Sequence, residues 1–190
     1  MAAIIWGLAR RFRLPALTAR HDSTNIMGLF AGVNGLIAIA IMSAIAWGSG
    51  EPFIFPSLGP TAFLLFYTPT SPAASPRNTI IGHAIGAAAG YLALMLFGLT
   101  NDPPALATEV TSGRVGAAAV SLALTSAFMV WLRAPHPPAG ATTLIVSLGI
   151  LREPEQLAIL MLAVVVLTIQ GLTINRLAGI AYPTWKPAPP

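Results

Sequence analysis

The chain holds three histidines, and two of them, His83 and His136, stand in strongly apolar surroundings. An ionisable residue at membrane depth is a functional candidate by default, and imidazole changes charge near neutral pH. His136 leads the segment Ala134–Leu151, APHPPAGATTLIVSLGIL, and a segment of the same character, FIFPSLGPTAFLLFY, runs over Phe53–Tyr67. Each opens with proline and glycine and then turns apolar and helix-like. Proline cannot sit inside a continuing helix but suits its first turn, so each segment reads as an extended stretch followed by a half-helix. The first N–H groups of such a helix have no partner within it, and its dipole places partial positive charge there. Two such ends at membrane depth suit a small anion. Gly59 and Gly140 would admit the ligand to the backbone. Thr61, Thr142 and Thr143 would offer hydroxyls, with His136, Pro137 and Pro138 completing the candidate binding set. His83, Arg77 and Arg133 are accessory candidates, a proton being the candidate co-substrate of the histidines. Bland readings stand beside these: glycine and proline that only shape turns, threonines that cap, a His136 bonded to a carbonyl, a His83 bonded across helices, and arginines that merely anchor topology.

Other chemistry is poorly served. Asp22, Glu51, Asp102, Glu109, Glu153 and Glu155 all lie outside or at the edges of the apolar segments, so no carboxylate pair is placed for acid–base work. HExxH, GxSxG and P-loop patterns are absent. Cysteine is missing, and three histidines, one of them (His21) in a basic stretch, make a poor metal centre. An enzyme, a metal and a cofactor are therefore not expected.

The elements that must position these residues are membrane helices. The 190 residues are 55% hydrophobic and 8% charged, with a mean hydropathy of +0.75, far below the roughly 25% charge of a soluble domain. Four uncharged stretches, Ser23–Gly50, Thr79–Leu99, Val115–Leu132 and Leu157–Ile174, are long enough to span. The first is too long for the apolar part of a signal peptide and reads as retained. The expected fold is all-α and polytopic, with four spanning helices plus the two half-helices. Residues 1–22 form a basic cytoplasmic segment, 23–176 the transmembrane domain and 177–190 a proline-rich tail. The alternative for the two proline-led segments is surface loops with interfacial helices.

These segments align with each other, Pro56-Ser57-Leu58-Gly59-Pro60-Thr61 against Pro137-Pro138-Ala139-Gly140-Ala141-Thr142. The order helix, half-helix, helix also repeats, over about 23–100 and 113–176. If each half-helix unit crosses, the second repeat is inverted, as in many transporters. Arg10, Arg11, Arg13, Arg20, Arg77, Arg133, Arg176 and Lys186 then share the cytoplasmic side, eight of ten basic residues. If the units re-enter instead, seven of ten do. Termini inside and the plasma membrane (the inner membrane of a Gram-negative cell) follow from the first arrangement. The spacing of Gly82, Gly86 and Gly90, and of Gly28 and Gly32, predicts close helix packing, within one chain or between copies of a homo-oligomer. Basic residues flank membrane segments rather than forming one face, which argues against nucleic acid.

The segment His136-Pro137-Pro138-Ala139-Gly140-Ala141-Thr142 resembles the signature of the HPP family of integral membrane proteins. Leu58 to His83 is also similar, notably Pro76-Arg77-Asn78 followed by Gly82-His83. Pro60 departs from the small residue expected there, and the CBS domain that some relatives carry is not seen. The resemblance, over about Ser23 to Asn175, implies a four-helix membrane protein and nitrite as a substrate. The expected function is a transporter or channel for a small monovalent anion, nitrite or nitrate. The alternative is a non-transporting membrane subunit or sensor acting through a partner.

Overall fold

The computed structural model describes residues 13–187. Arg10 and Arg11 of the expected basic segment, and the last three residues of the tail, lie outside them. Among the described residues there are seven α-helices: α1 (Leu14–Thr18), α2 (Ser23–Ser49), α3 (Leu58–Tyr67), α4 (Pro76–Leu96), α5 (Ser112–Trp131), α6 (Ala139–Ser147) and α7 (Pro154–Leu177). A 3₁₀ turn, Pro72–Ala74, precedes α4. The described residues contain no strand. Helices α2, α4, α5 and α7 are long and apolar enough to cross a membrane.

Each of these four begins on a polar signal. Asp22 accepts from the Asn25 N–H, Ser75 from Asn78 and Thr111 from Arg114. At α7, Gln156 Oε1 accepts from the Glu153 N–H. Such caps satisfy donors that the helix leaves open. They also explain why α4, α5 and α7 start three residues before the apolar stretches expected at Thr79, Val115 and Leu157: the capping turn is helical but not apolar.

Named hydrogen bonds sort the helix ends into two groups. At one end, Arg77 at the start of α4 donates to the carbonyls of Leu132 and Arg133 at the end of α5. Asn175 near the end of α7 donates to Leu65 O near the end of α3, and the Leu14 N–H donates to Ala178 O. At the other end, Arg114 at the start of α5 donates to Asp102 O, Pro103 O and Ser147 O, the last residue of α6. Arg152, before α7, donates to Asp102 O and the Ala105 N–H to Leu148 O. Helices α3 and α7 thus run oppositely from α4, while α5 runs with α7 and against α6.

Helix α4 is the axis of the bundle. Eleven of its residues are buried, against two, Ala38 and Met42, in the longer α2. Its glycines allow this. A Cβ on Gly82 would meet His136 Cβ at 2.6 Å, on Gly86 the Ala139 carbonyl oxygen at 2.6 Å, and on Gly90 Val146 Cβ at 2.7 Å. Real Cβ contacts do not come this close, so α6 lies directly on the α4 backbone. The glycine repeat is therefore occupied within the chain, whereas a Cβ on Gly28 or Gly32 would meet nothing within 4 Å. The tail is not a free appendage. Tyr182 is buried and donates its hydroxyl to Ala74 O, and the Arg77 N–H bonds Trp185 O.

Candidate functional site

Helices α3 and α6 begin at Leu58 and Ala139, the positions that their sequences align. Unlike the long helices they have no side-chain cap, and their N-cap residues, Ser57 and Pro138, are already in helical conformation. Each then presents a threonine in its first turn and a half, Thr61 and Thr142. Between them stands His83 of α4. Thr61 Oγ1 lies 2.9 Å from its Nε2, and Thr142 Oγ1 lies 2.7 Å from its Nδ1. The two repeat-related hydroxyls thus hold opposite nitrogens of one imidazole. His136 closes the group: its Nε2 is 3.2 Å from His83 Nε2 and 3.3 Å from Thr61 Oγ1. Its Nδ1 is 2.8 Å from the Ala73 carbonyl oxygen of the 3₁₀ turn. The ring centroids are 4.8 Å apart, and all four side chains are fully buried.

The glycines at the two helix starts are not closely packed against neighbours, and the N-terminus of α6 differs from expectation. Gly59 is exposed, and a Cβ there would meet nothing within 4 Å. At Gly140 a Cβ would make one ordinary contact, with Leu122 Cδ1 at 3.6 Å. Neither is a close-approach point; those are on α4. Nor does α6 leave free donors. The N–H groups of Ala139 and Gly140 bond the carbonyls of His136 and Pro137, and those of Ala141 and Thr142 bond Pro138 O. The physical reason is the tight His-Pro-Pro turn, which spends no N–H at its two prolines and aims its carbonyls at the first helical turn. Pro137 is exposed and Pro138 buried, both serving that turn. Arg77 caps the C-terminal carbonyls of α5, where cations are favoured. Arg133 is exposed and holds a left-handed backbone, φ 50°, as α5 ends.

Three hydroxyls near this junction have no partner although buried: Ser57, Thr79 and Thr143. Ser57 stands one turn before Thr61 and Thr79 one turn before His83, on the same helical faces. Thr143 had been singled out in the sequence; Ser57 and Thr79 had not, although their spacing of four from Thr61 and His83 was readable. The contribution of Ala73 is a backbone carbonyl and left no trace in residue type.

The fold and site define an all-α polytopic membrane protein with a polar junction of paired histidines and threonines sealed in its interior. The description of the HPP transmembrane region matches residues 20–183, and the chain belongs to the HPP family. It is 39% identical over 93 residues to a transmembrane protein of Dictyostelium discoideum, covering 49% of this chain and 27% of that one. A second Dictyostelium discoideum transmembrane protein is 30% identical over 121 residues, 63% of this chain and 39% of the relative. The chain therefore matches well under half the length of these relatives. No solved structure matches.

Proposed function

We propose that this protein moves a small monovalent anion, nitrite or nitrate, across its membrane. The observation that carries the reading is the sealed junction of His83, His136, Thr61 and Thr142 with unpaired buried hydroxyls at Ser57 and Thr79 one turn away. Buried polar groups without partners cost roughly 1–3 kcal/mol each, and an anion placed among them would accept from several at once. Hydroxyls, not the backbone of α6, are the donors in this account. The N-terminal ends of α3 and α6 add a favourable field. No aspartate or glutamate lies on α3, α4 or α6, so nothing there repels a negative charge. A divalent anion would lose more hydration than these neutral donors replace.

The accompanying architecture is an inverted repeat in which α3 and α6 are half-helices. At 10 and 9 residues they span about 15 Å, half of a hydrocarbon core of about 30 Å. The pairing of helices supports this, α2 meeting α3 as α5 meets α6, α3 meeting α7 as α6 meets α4, and α2 meeting α7 as α5 meets α4, although the α4 contacts with α5 and α6 are much the more extensive. With each unit crossing, Arg13, Arg20, Arg77, Arg133, Arg176 and Lys186 share one side with both termini. Arg114 and Arg152 share the other with Glu51, Asp102, Glu109, Glu153 and Glu155. The arginine-rich side is the cytoplasm, and the plasma membrane is the proposed site. Self-association would use the uncovered Gly28 and Gly32 of α2.

Purified protein in liposomes, offered nitrite, nitrate, sulfate and potassium, tests the function. Entry of the monovalent anions and exclusion of the others is expected. A protein that passes none of them is a subunit or sensor and not a transporter. Single cysteines at positions 77 and 102 test the architecture, since the chain has none of its own. Position 102 should react with an impermeant reagent on intact cells, and labelling of 77 would reject the six-crossing arrangement.

A further inference from the structure

The bonds around the paired histidines fix where protons can sit. A carbonyl oxygen only accepts, so His136 Nδ1, 2.8 Å from Ala73 O, carries a hydrogen. In the neutral ring its Nε2 is then a bare lone pair. Thr61 does not donate to that lone pair, because its hydroxyl hydrogen goes to Ser57 O at 2.9 Å. The donor must be His83 Nε2–H, at 3.2 Å from His136 Nε2 and 2.9 Å from Thr61 Oγ1. His83 Nδ1 is then bare and accepts the Thr142 hydroxyl, 2.7 Å away. Every polar atom of the four side chains is satisfied in this neutral arrangement.

The same frame accepts one added proton. It binds the lone pair of His136 Nε2, which now donates to His83 Nε2. The hydrogen of His83 moves to Nδ1 and donates to Thr142 Oγ1. The Thr142 hydroxyl, whose one partner in the structure is His83 Nδ1, then turns its hydrogen away from the ring, toward the carbonyls of the preceding helical turn as helical threonines do. His83 Nε2–H gives up Thr61 Oγ1, and His136 Nε2–H, 3.3 Å from the same oxygen, takes its place; no bond but N–H and O–H changes. A second proton finds no place: it would set two Nε2–H groups facing each other at 3.2 Å on adjacent cationic rings. Two groups stand near His136: the Tyr182 hydroxyl bonds Ala74 O, beside the Ala73 carbonyl that His136 uses, and Arg133 lies exposed three residues before it. Helix α6 and the 3₁₀ turn carry no titratable side chain, and α3 carries only Tyr67. On α4, Arg77 is engaged by the end of α5 and Tyr91 lies two turns beyond His83. Arg114 of α5 and Arg152 are engaged at the far end, Glu155 and Arg176 lie at opposite ends of α7, and α2 has no charged residue.

We infer that the His83–His136 pair takes up one proton, and no second, with each anion that the protein carries. This rests on the anion reading above and assigns its coupling ion and stoichiometry. The reason is electrostatic: a lone anion among neutral hydroxyls in a sealed site keeps an uncompensated charge, which a buried site tolerates poorly, whereas an adjacent imidazolium cancels it. Thr142 is the positioning residue that lets His83 switch its hydrogen.

Nitrate is the probe, because nitrous acid crosses lipid unaided. In proteoliposomes with trapped pyranine, inward nitrate should acidify the interior by one proton per nitrate. Its rate should be indifferent to a valinomycin-set potential, and should rise by up to about tenfold per unit fall in external pH, the limit for one proton. His83→Gln and His136→Gln, which keep hydrogen-bonding groups, should uncouple nitrate from acidification and flatten the pH profile. Thr142→Val should shift that profile while Thr142→Ser restores it. Should the glutamine variants fail to fold, the wild-type protein still decides: in weakly buffered detergent, adding nitrate should draw one proton per protein from solution. Nitrate entry that charges the membrane and leaves pyranine unchanged overturns the coupling and spares the anion reading. Absence of any anion flux and of nitrate-linked proton uptake overturns both.

Discussion

Helices α3 and α6 start at matching places in matching sequences, and each puts a threonine on His83, yet they are held by different means. Helix α6 lies against bare α4 backbone at Gly82, Gly86 and Gly90, and its first turn is closed by carbonyls of the His-Pro-Pro turn. Helix α3 is packed by side chains of α2 and α7: a Cβ on Gly171 of α7 would meet Leu65 at 3.0 Å, a flexible neighbour rather than backbone. Their C-terminal carbonyls differ as well. Ser147 O of α6 is taken by the buried Arg114 guanidinium, which also bonds Asp102 O and Pro103 O. Leu65 O of α3 is taken by the single amide of Asn175. One short helix is clamped, the other cushioned.

The comparison breaks first at Gly86. Gly86→Val sets carbon against the Ala139 carbonyl, and the cost exceeds the roughly 1–3 kcal/mol of ordinary overpacking, because backbone cannot rotate away. Loss of folded, monodisperse protein in detergent is expected. Normal folding would show that α6 is no more tightly clamped than α3. Next come the C-terminal ties. Arg114→Leu removes three bonds from a charged donor and should cost about 3 kcal/mol in denaturant unfolding, against about 1 kcal/mol for Asn175→Leu. Equal losses would erase the contrast. The smallest effect is at Gly140, where a methyl meets only ordinary contact. Gly140→Ala should leave nitrate flux unchanged and stabilise by about 0.5–1 kcal/mol through helix propensity. Lost flux there would return the anion to the backbone of α6.

Much of this was legible in residue order. Apolar length marks α2, α4, α5 and α7 because a lipid-exposed helix must be apolar over a fixed distance. The repeat marks α3 and α6, since proline and glycine at matching offsets set both helix starts. His83, His136, Thr61 and Thr142 were picked out as polar residues in apolar surroundings. The glycine spacing on α4 gave a packing face but not its occupant. The role of Gly59 and Gly140 was not legible, because spacing alone does not say what a glycine beside a turn opens onto.

Sequence alone thus determined the solvent, the helices and the polar residues too costly to bury without purpose, all of which depend on composition and local spacing. Only the tertiary structure decided that His83 and His136, 53 positions apart, share one hydrogen-bonded contact. It also decided that Thr61 and Thr142 grip opposite nitrogens of the same ring, and that the His-Pro-Pro turn satisfies its own helix. Those outcomes depend on α6 settling onto the α4 backbone, and the direction in which a side chain or carbonyl points after such docking is not written in the identity of any single residue.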